Sequence, residues 1–310
     1  MEEQTKPVSK TSKLLKVLLK IAVTVVCLWY VSGKIDFAEA RNALSTANWF
    51  YFILAFIAFV FSKWISAIRI NIYFQNISIV LTHWQNIKLY WLGMFYNLFL
   101  PGSITGDAYK VILLTRRFGV PYKKTTAAVL LDRFSGLLAL GLILAVYSTF
   151  VLKNRLYMVL LIGCAIVAII VLHLIIQKLF IDFLPGFWST FAWGFVVQFS
   201  LVVCIYLILK SLNIDTAQSD YIFIFLIAAV AGVLPITVGG GLGIREFVFV
   251  EGARYFGLEP NISIVISLLF YVITLLISLA GVIFVFKDPL NPTNKNGYHS
   301  ASNKKNDLFT

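Results

Sequence analysis

Between residues 14 and 286 the sequence returns repeatedly to apolar runs of about 20 residues, the length an α-helix needs to cross a bilayer core. No soluble interior of this size hides so many of them, and 60% of the 310 residues are hydrophobic against 13% charged. The period-2 alternation of a membrane barrel is absent. The expected fold is therefore an all-α polytopic membrane protein. Its six expected spans cover residues 14–32, 49–68, 125–150, 156–179, 187–210 and 262–286. Residues 69–86 read as an interfacial stretch. Residues 1–13 form a basic N-terminus and 287–310 a polar, Asn/Lys-rich tail, expected to be disordered.

Two apolar stretches are interrupted, and both interruptions are rich in helix breakers. The first spans residues 97–107 and carries Pro101, Gly102 and Gly106; the second spans 234–246 and carries Pro235, Gly239, Gly240, Gly241 and Gly243. Proline removes a backbone donor and glycine costs backbone entropy, so a continuous helix is disfavoured at both. Inside a bilayer such freed backbone must find protein partners or line a wet cavity. The arms on either side are each too short to span, so residues 87–114 and 220–256 are expected to form re-entrant helical hairpins. Three full spans lie between them. An odd number makes the hairpins enter from opposite faces, the geometry of an inverted repeat.

Lys and Arg set the expected orientation. Seventeen fall on the side of the N-terminus and six on the other, with Lys63, Arg133 and Arg245 inside membrane elements. The positive-inside rule then makes both termini and residues 110–124 cytoplasmic, in a multi-pass cell (inner) membrane protein. The net charge of +12 belongs to this loop bias, and no nucleic-acid partner is expected. The three cysteines lie in apolar runs and the three histidines lack ligand spacing, so no metal or cofactor is expected.

Charges inside apolar elements mark the candidate site, because a buried charge must face protein, water or ligand. Asp132 and Arg133 sit well inside a span. One reading makes them a structural pair that holds a hairpin; the other brings Arg133 to an anionic headgroup. Asp107 and Arg245-Glu246 fall in the first turns after the two breaks, as helix caps or as a coupled carboxylate pair. The restarting helices there would offer free N–H groups at membrane depth. Lys110 opens a basic block that signals orientation or collects anionic lipid. Arg133 is expected to find its partner in Asp107 or Glu246, with Asp132 facing elsewhere because helical neighbours diverge by about 100°.

Three ordered motifs carry a resemblance. Asn97, Leu100-Pro101, Gly106-Asp107 and Lys110 come first. Asp132-Arg133-Phe134-Ser135-Gly136 follows, and then Pro235 with Gly240-Gly241-Leu242-Gly243-Ile244-Arg245-Glu246. Together they resemble the transmembrane region of lysylphosphatidylglycerol synthase/flippase proteins, within a wider group of flippase-like membrane proteins. Two departures stand out: Lys110 where Arg is common, and Val238 with three consecutive glycines where a shorter Gly pair is common. The resemblance implies a lipid-handling membrane domain over residues 14–286, with membrane lipids (an anionic phospholipid or a lipid-linked glycan) as partners and a homo-oligomer possible. It does not imply aminoacyl transfer, which in bifunctional relatives belongs to a separate soluble domain that is not expected after residue 286. Alternatives from other classes are a non-transporting subunit of a lipid- or glycan-modifying enzyme, and a membrane transferase using Asp107 or Asp132.

Overall fold

The computed structural model describes residues 42, 45–100, 104–233 and 244–290. The expected first span, the break residues Pro101, Gly102, Pro235, Gly239, Gly240, Gly241 and Gly243, and the tail lie outside the described residues. Every described element is an α- or 3-10 helix. In order these are α1 (Trp49–Asn76), α2 (His83–Phe99), α3 (Thr105–Phe118), α4 (Tyr122–Val151), α5 (Arg155–Leu179), a 3-10 turn (Ile181–Gly186), α6 (Phe187–Ser211), α7 (Gln218–Gly232), α8 (Ile244–Phe256), α9 (Pro260–Leu279), a second 3-10 turn (Ala280–Val282) and α10 (Ile283–Phe286).

Five helical stretches are long and apolar enough to cross a membrane: Trp49–Asn76, Tyr122–Val151, Arg155–Leu179, Ile181–Ser211 and Pro260–Phe286. They match five of the six expected spans. Their ends follow local chemistry. Asn48 caps α1 by accepting from the Phe50 amide at 3.1 Å, and Asn154 caps α5 from the Leu156 amide at 2.9 Å. Gly119, at φ 68°, closes α3 in the left-handed conformation that a side chain disfavours.

The stretch read as interfacial holds the end of α1, a short turn and the start of α2. α1 continues to Asn76, and α2 begins at His83 behind a capping box of Thr82 and Gln85. His83 and Trp84, at the start of α2, are exposed, whereas two of the polar residues have internal partners. Arg69 pairs with Asp132, and the Asn86 amide donates to the Ala67 carbonyl. A buried polar group that is hydrogen-bonded no longer calls for water.

The four shorter helices form two antiparallel pairs. Tyr96 meets Tyr109 and Asn97 meets Gly106, so α3 runs back along α2. A Cβ at Gly106 would overlap the backbone of Gly93, so this crossing needs glycine on α3. Likewise Phe223 meets Phe256, and Ile224 fills the space over Gly252, so α8 runs back along α7. The longest of these arms has 17 residues, about 25 Å at 1.5 Å per residue, short of the roughly 30 Å core.

Contacts sort the connections into two ends of the bundle. At one end Lys124 pairs with Asp182 at 2.7 Å, Tyr73 packs on Phe183, and Gln85 donates to the Leu290 carbonyl at 2.9 Å. At the other, the Asn48 amide donates to the Ser211 carbonyl at 2.7 Å, and Leu152, Leu212 and Leu258 share one apolar cluster. Each end has its own core. One gathers Tyr73, Phe74, Leu114, Phe183 and Phe187; the other gathers Phe59, Ile208, Phe225, Phe249 and Phe270.

α5 stands apart. Its most apolar 18-residue window has a mean hydropathy of 3.2, yet Ile176 is its one buried residue. It leans on α4 and turns Leu160, Val167, Val171 and Leu174 outward. A helix apolar on all sides and this exposed is at rest only in hydrocarbon.

Candidate functional site

The charges sit between the two cores. A cavity of about 350 Å³ there is lined by Lys63 and Arg69 of α1, Asp107 and Lys110 of α3, Asp132 and Arg133 of α4, and Arg245 of α8. Among the described residues five cations thus face two carboxylates. The remaining wall is largely apolar, with Phe59, Leu98, Leu137, Leu140, Leu201, Phe225 and Phe270. Asn97 and Gln198 add neutral polar groups.

Arg69 and Asp132 form the tightest connection. Nε of Arg69 donates to Oδ1 of Asp132 at 2.8 Å and Nη2 to Oδ2 at 3.0 Å, with both side chains more than nine-tenths buried. This is the two-pronged fit of a planar guanidinium to a carboxylate, and it ties α1 to α4. The remaining Nη1 lies where glycine leaves room: a Cβ on Gly136 would sit 2.7 Å from it and one on Gly194 3.7 Å away. Gly136 therefore carries the approach of α1 to α4. The sequence alone does not mark Arg69 as the partner of Asp132, because residues 69–86 read as an interfacial stretch.

Arg133 turns to a different partner, as two successive positions on a helix must. Its Nε donates to Oδ2 of Asp107, while Nζ of Lys110 lies 3.1 Å from Oδ1 of the same carboxylate. Asp107 thus joins α3 to α4 and neutralises one of two cations. Lys110 reaches it by crossing Gly93, where a Cβ would overlap its Cε, and its ammonium lies 4.7 Å from the centre of the Tyr90 ring.

The expected capping role for Asp107 is not what the geometry gives. No side chain caps α3 at Ile104, and Asp107 is taken up by Lys110 and Arg133. Nor is the N–H of Gly106 free for a ligand, since it donates to Oδ1 of Asn97 at 2.8 Å. This bond closes the start of α3 from α2, and the short spacing from Asn97 to Gly106 across the break is the sequence signal for it.

Arg245 and Glu246 diverge. Arg245 is buried over the face of Phe270, 5.0 Å from the ring centre, and lines the cavity. Glu246 does not line it and accepts from the Ser267 hydroxyl at 3.2 Å, joining α8 to α9. Sequence reasoning missed Arg69 as a pairing residue and Lys63 as a lining residue. Phe59, Lys63, Ser66 and Ile70, spaced by three and four, mark the face of α1 that meets the cavity. Among the described residues no group of three His, Cys, Asp or Glu could hold a metal ion.

The family described as Lysylphosphatidylglycerol synthase TM region matches residues 17–281. The chain belongs to this family. No curated protein matches the chain. The matched region holds every described element up to Gly281 and all the charged residues of the cavity, so the site is part of the family's membrane region. Within the matched region, Lys110 is accommodated by the opening at Gly93 and by Asp107 and Tyr90.

Proposed function

We propose that this protein handles lipids within the membrane, and that its cavity takes the headgroup of an anionic or lipid-linked substrate to move or hold it between leaflets. The observation that carries this reading is the cavity's charge: five Lys and Arg against two Asp, with an apolar wall beside them. Charges at membrane depth are costly and rare, and an excess of one sign calls for a counter-charge. A headgroup supplies it, and the apolar wall suits the start of an acyl or prenyl chain.

The two antiparallel helix pairs support a re-entrant reading. α2 starts and α3 ends near the Lys124–Asp182 end of the bundle, while α7 starts and α8 ends near the Asn48–Ser211 end. Three spanning helices, α4, α5 and α6, separate the pairs. On this reading the hairpins enter from opposite faces as an inverted repeat. The Lys/Arg bias then puts the Lys124–Asp182 end in the cytoplasm of a cell-membrane protein.

The test is reconstitution into vesicles carrying a fluorescently labelled anionic phospholipid, with leaflet exchange read by quenching from outside. Exchange faster than in protein-free vesicles, slowed at least tenfold by Arg133→Ala in a protein that still folds, is the expected result. Lipid bound without exchange would leave holding rather than moving, the property of an accessory subunit. Neither binding nor exchange with any anionic lipid would remove the reading.

A further inference from the structure

Lys63 stands at the midpoint of α1, a 28-residue helix, about 20 Å from either end. Its side chain lines the cavity. The other cations of α1, α3 and α4 that line the cavity all reach a carboxylate: Arg69 reaches Asp132, and Lys110 and Arg133 share Asp107. Lys63 does not. Among the described residues it makes no ion pair and no hydrogen bond, and its one polar contact is the face of Phe59, 4.5 Å from the ring centre. Arg69 and Arg245 are its charged neighbours on the cavity wall, and both repel it.

A fold has no structural reason to keep such a residue. A leucine or methionine at this position would remove an unmatched charge from the interior and lower the cost of folding. Strained or uncompensated groups that persist in a fold gather at functional sites, where ligand binding relieves them. The relief here must be negative and compact enough to enter a cavity of about 350 Å³. A phosphate group meets these demands, because its oxygens can accept from an ammonium and spread their charge over several cations.

We infer that Lys63 is the residue that grips the substrate, its ammonium donating to a phosphate oxygen at the centre of the cavity. This rests on the lipid-headgroup reading above and narrows it to a phosphate-bearing headgroup. Lys63 acts as a point charge, so the site asks for an anion there rather than for one fixed orientation. Arg133, already joined to Asp107, faces the same cavity from α4 and shares the ligand's charge without being its main holder.

The experiment compares wild type, Lys63→Met and Lys63→Arg, purified in neutral detergent. Binding of phosphatidylglycerol is measured by native mass spectrometry, and inorganic phosphate and glycerol 3-phosphate are titrated by calorimetry. Melting in lipid-free detergent is recorded for each. The expected result is a loss of at least tenfold in phosphatidylglycerol affinity for Lys63→Met and less than threefold for Lys63→Arg. Lys63→Met should melt at or above the wild-type temperature, which a lysine with a structural partner would not allow. Wild-type affinity in a folded Lys63→Met protein, or a large fall in its melting temperature without ligand, would overturn the assignment while leaving the lipid reading intact. If inorganic phosphate binds as tightly as phosphatidylglycerol and in the same Lys63-dependent way, the anion seat stands and the lipid reading fails. If wild type binds none of the three, both fall.

Discussion

Replacing Asp132 with Ala should lower stability by about 3–5 kcal/mol, because it leaves the Arg69 guanidinium buried and without its carboxylate. Arg69→Ala should cost about as much by stranding Asp132. The pair is buried, two-pronged and central: it links α1, the helix packed most extensively on α6, to α4. The double replacement Arg69→Met with Asp132→Leu should recover most of the loss, since two apolar side chains in an apolar interior strand no charge. Melting in detergent across this double-mutant cycle gives the coupling directly. Additive losses would mean that the two side chains do not depend on each other, contrary to the geometry.

The second large effect belongs to Asp107. Asp107→Ala removes the carboxylate that Lys110 and Arg133 share and sets two cations against each other between α3 and α4. A loss of about 3–5 kcal/mol is expected, with α3 released from α4. Lys110→Met or Arg133→Met removes one cation and leaves Asp107 with the other, so each should cost about 1.5–3 kcal/mol, the range of a charged hydrogen bond. Combining Lys110→Met with Asp107→Ala should be milder than Asp107→Ala alone. Hydrogen exchange over residues 105–118 would read the release of α3. Full protection there in Asp107→Ala would show that α3 is held by its packing on α2 alone.

The sequence carried the architecture because hydrocarbon imposes a length on every span, and five of the expected spans are helices of that length. It also carried the divergence of Asp132 from Arg133, which follows from the helical turn. The partner of Arg133 was narrowed to two carboxylates by their place after the breaks, and the fold selects Asp107. Arg69 was not legible. Hydropathy falls near residues 69–76, and falling hydropathy reads the same whether polar groups meet water or one another. Only the position of Asp132, 63 residues further along the chain, distinguishes the two. Lys63 was legible as a charge inside a span, but not as a lining residue, because its neighbours Phe61, Ser62 and Trp64 give it no partner. The role of Gly136 was hidden for a related reason: a glycine in an apolar helix looks like any small residue until a guanidinium is found over it.

Whether the cavity between the two cores takes an anionic headgroup is measured most directly by a competition in native mass spectrometry. Purified protein is offered equal amounts of phosphatidylglycerol and phosphatidylcholine with the same acyl chains. The expected result is at least tenfold preference for the anionic lipid in wild type, reduced to near parity when Lys63 and Arg133 are both replaced by Met in a protein that still melts cooperatively. Equal retention of the two lipids by wild type, or an anionic preference that survives both replacements, would contradict the account.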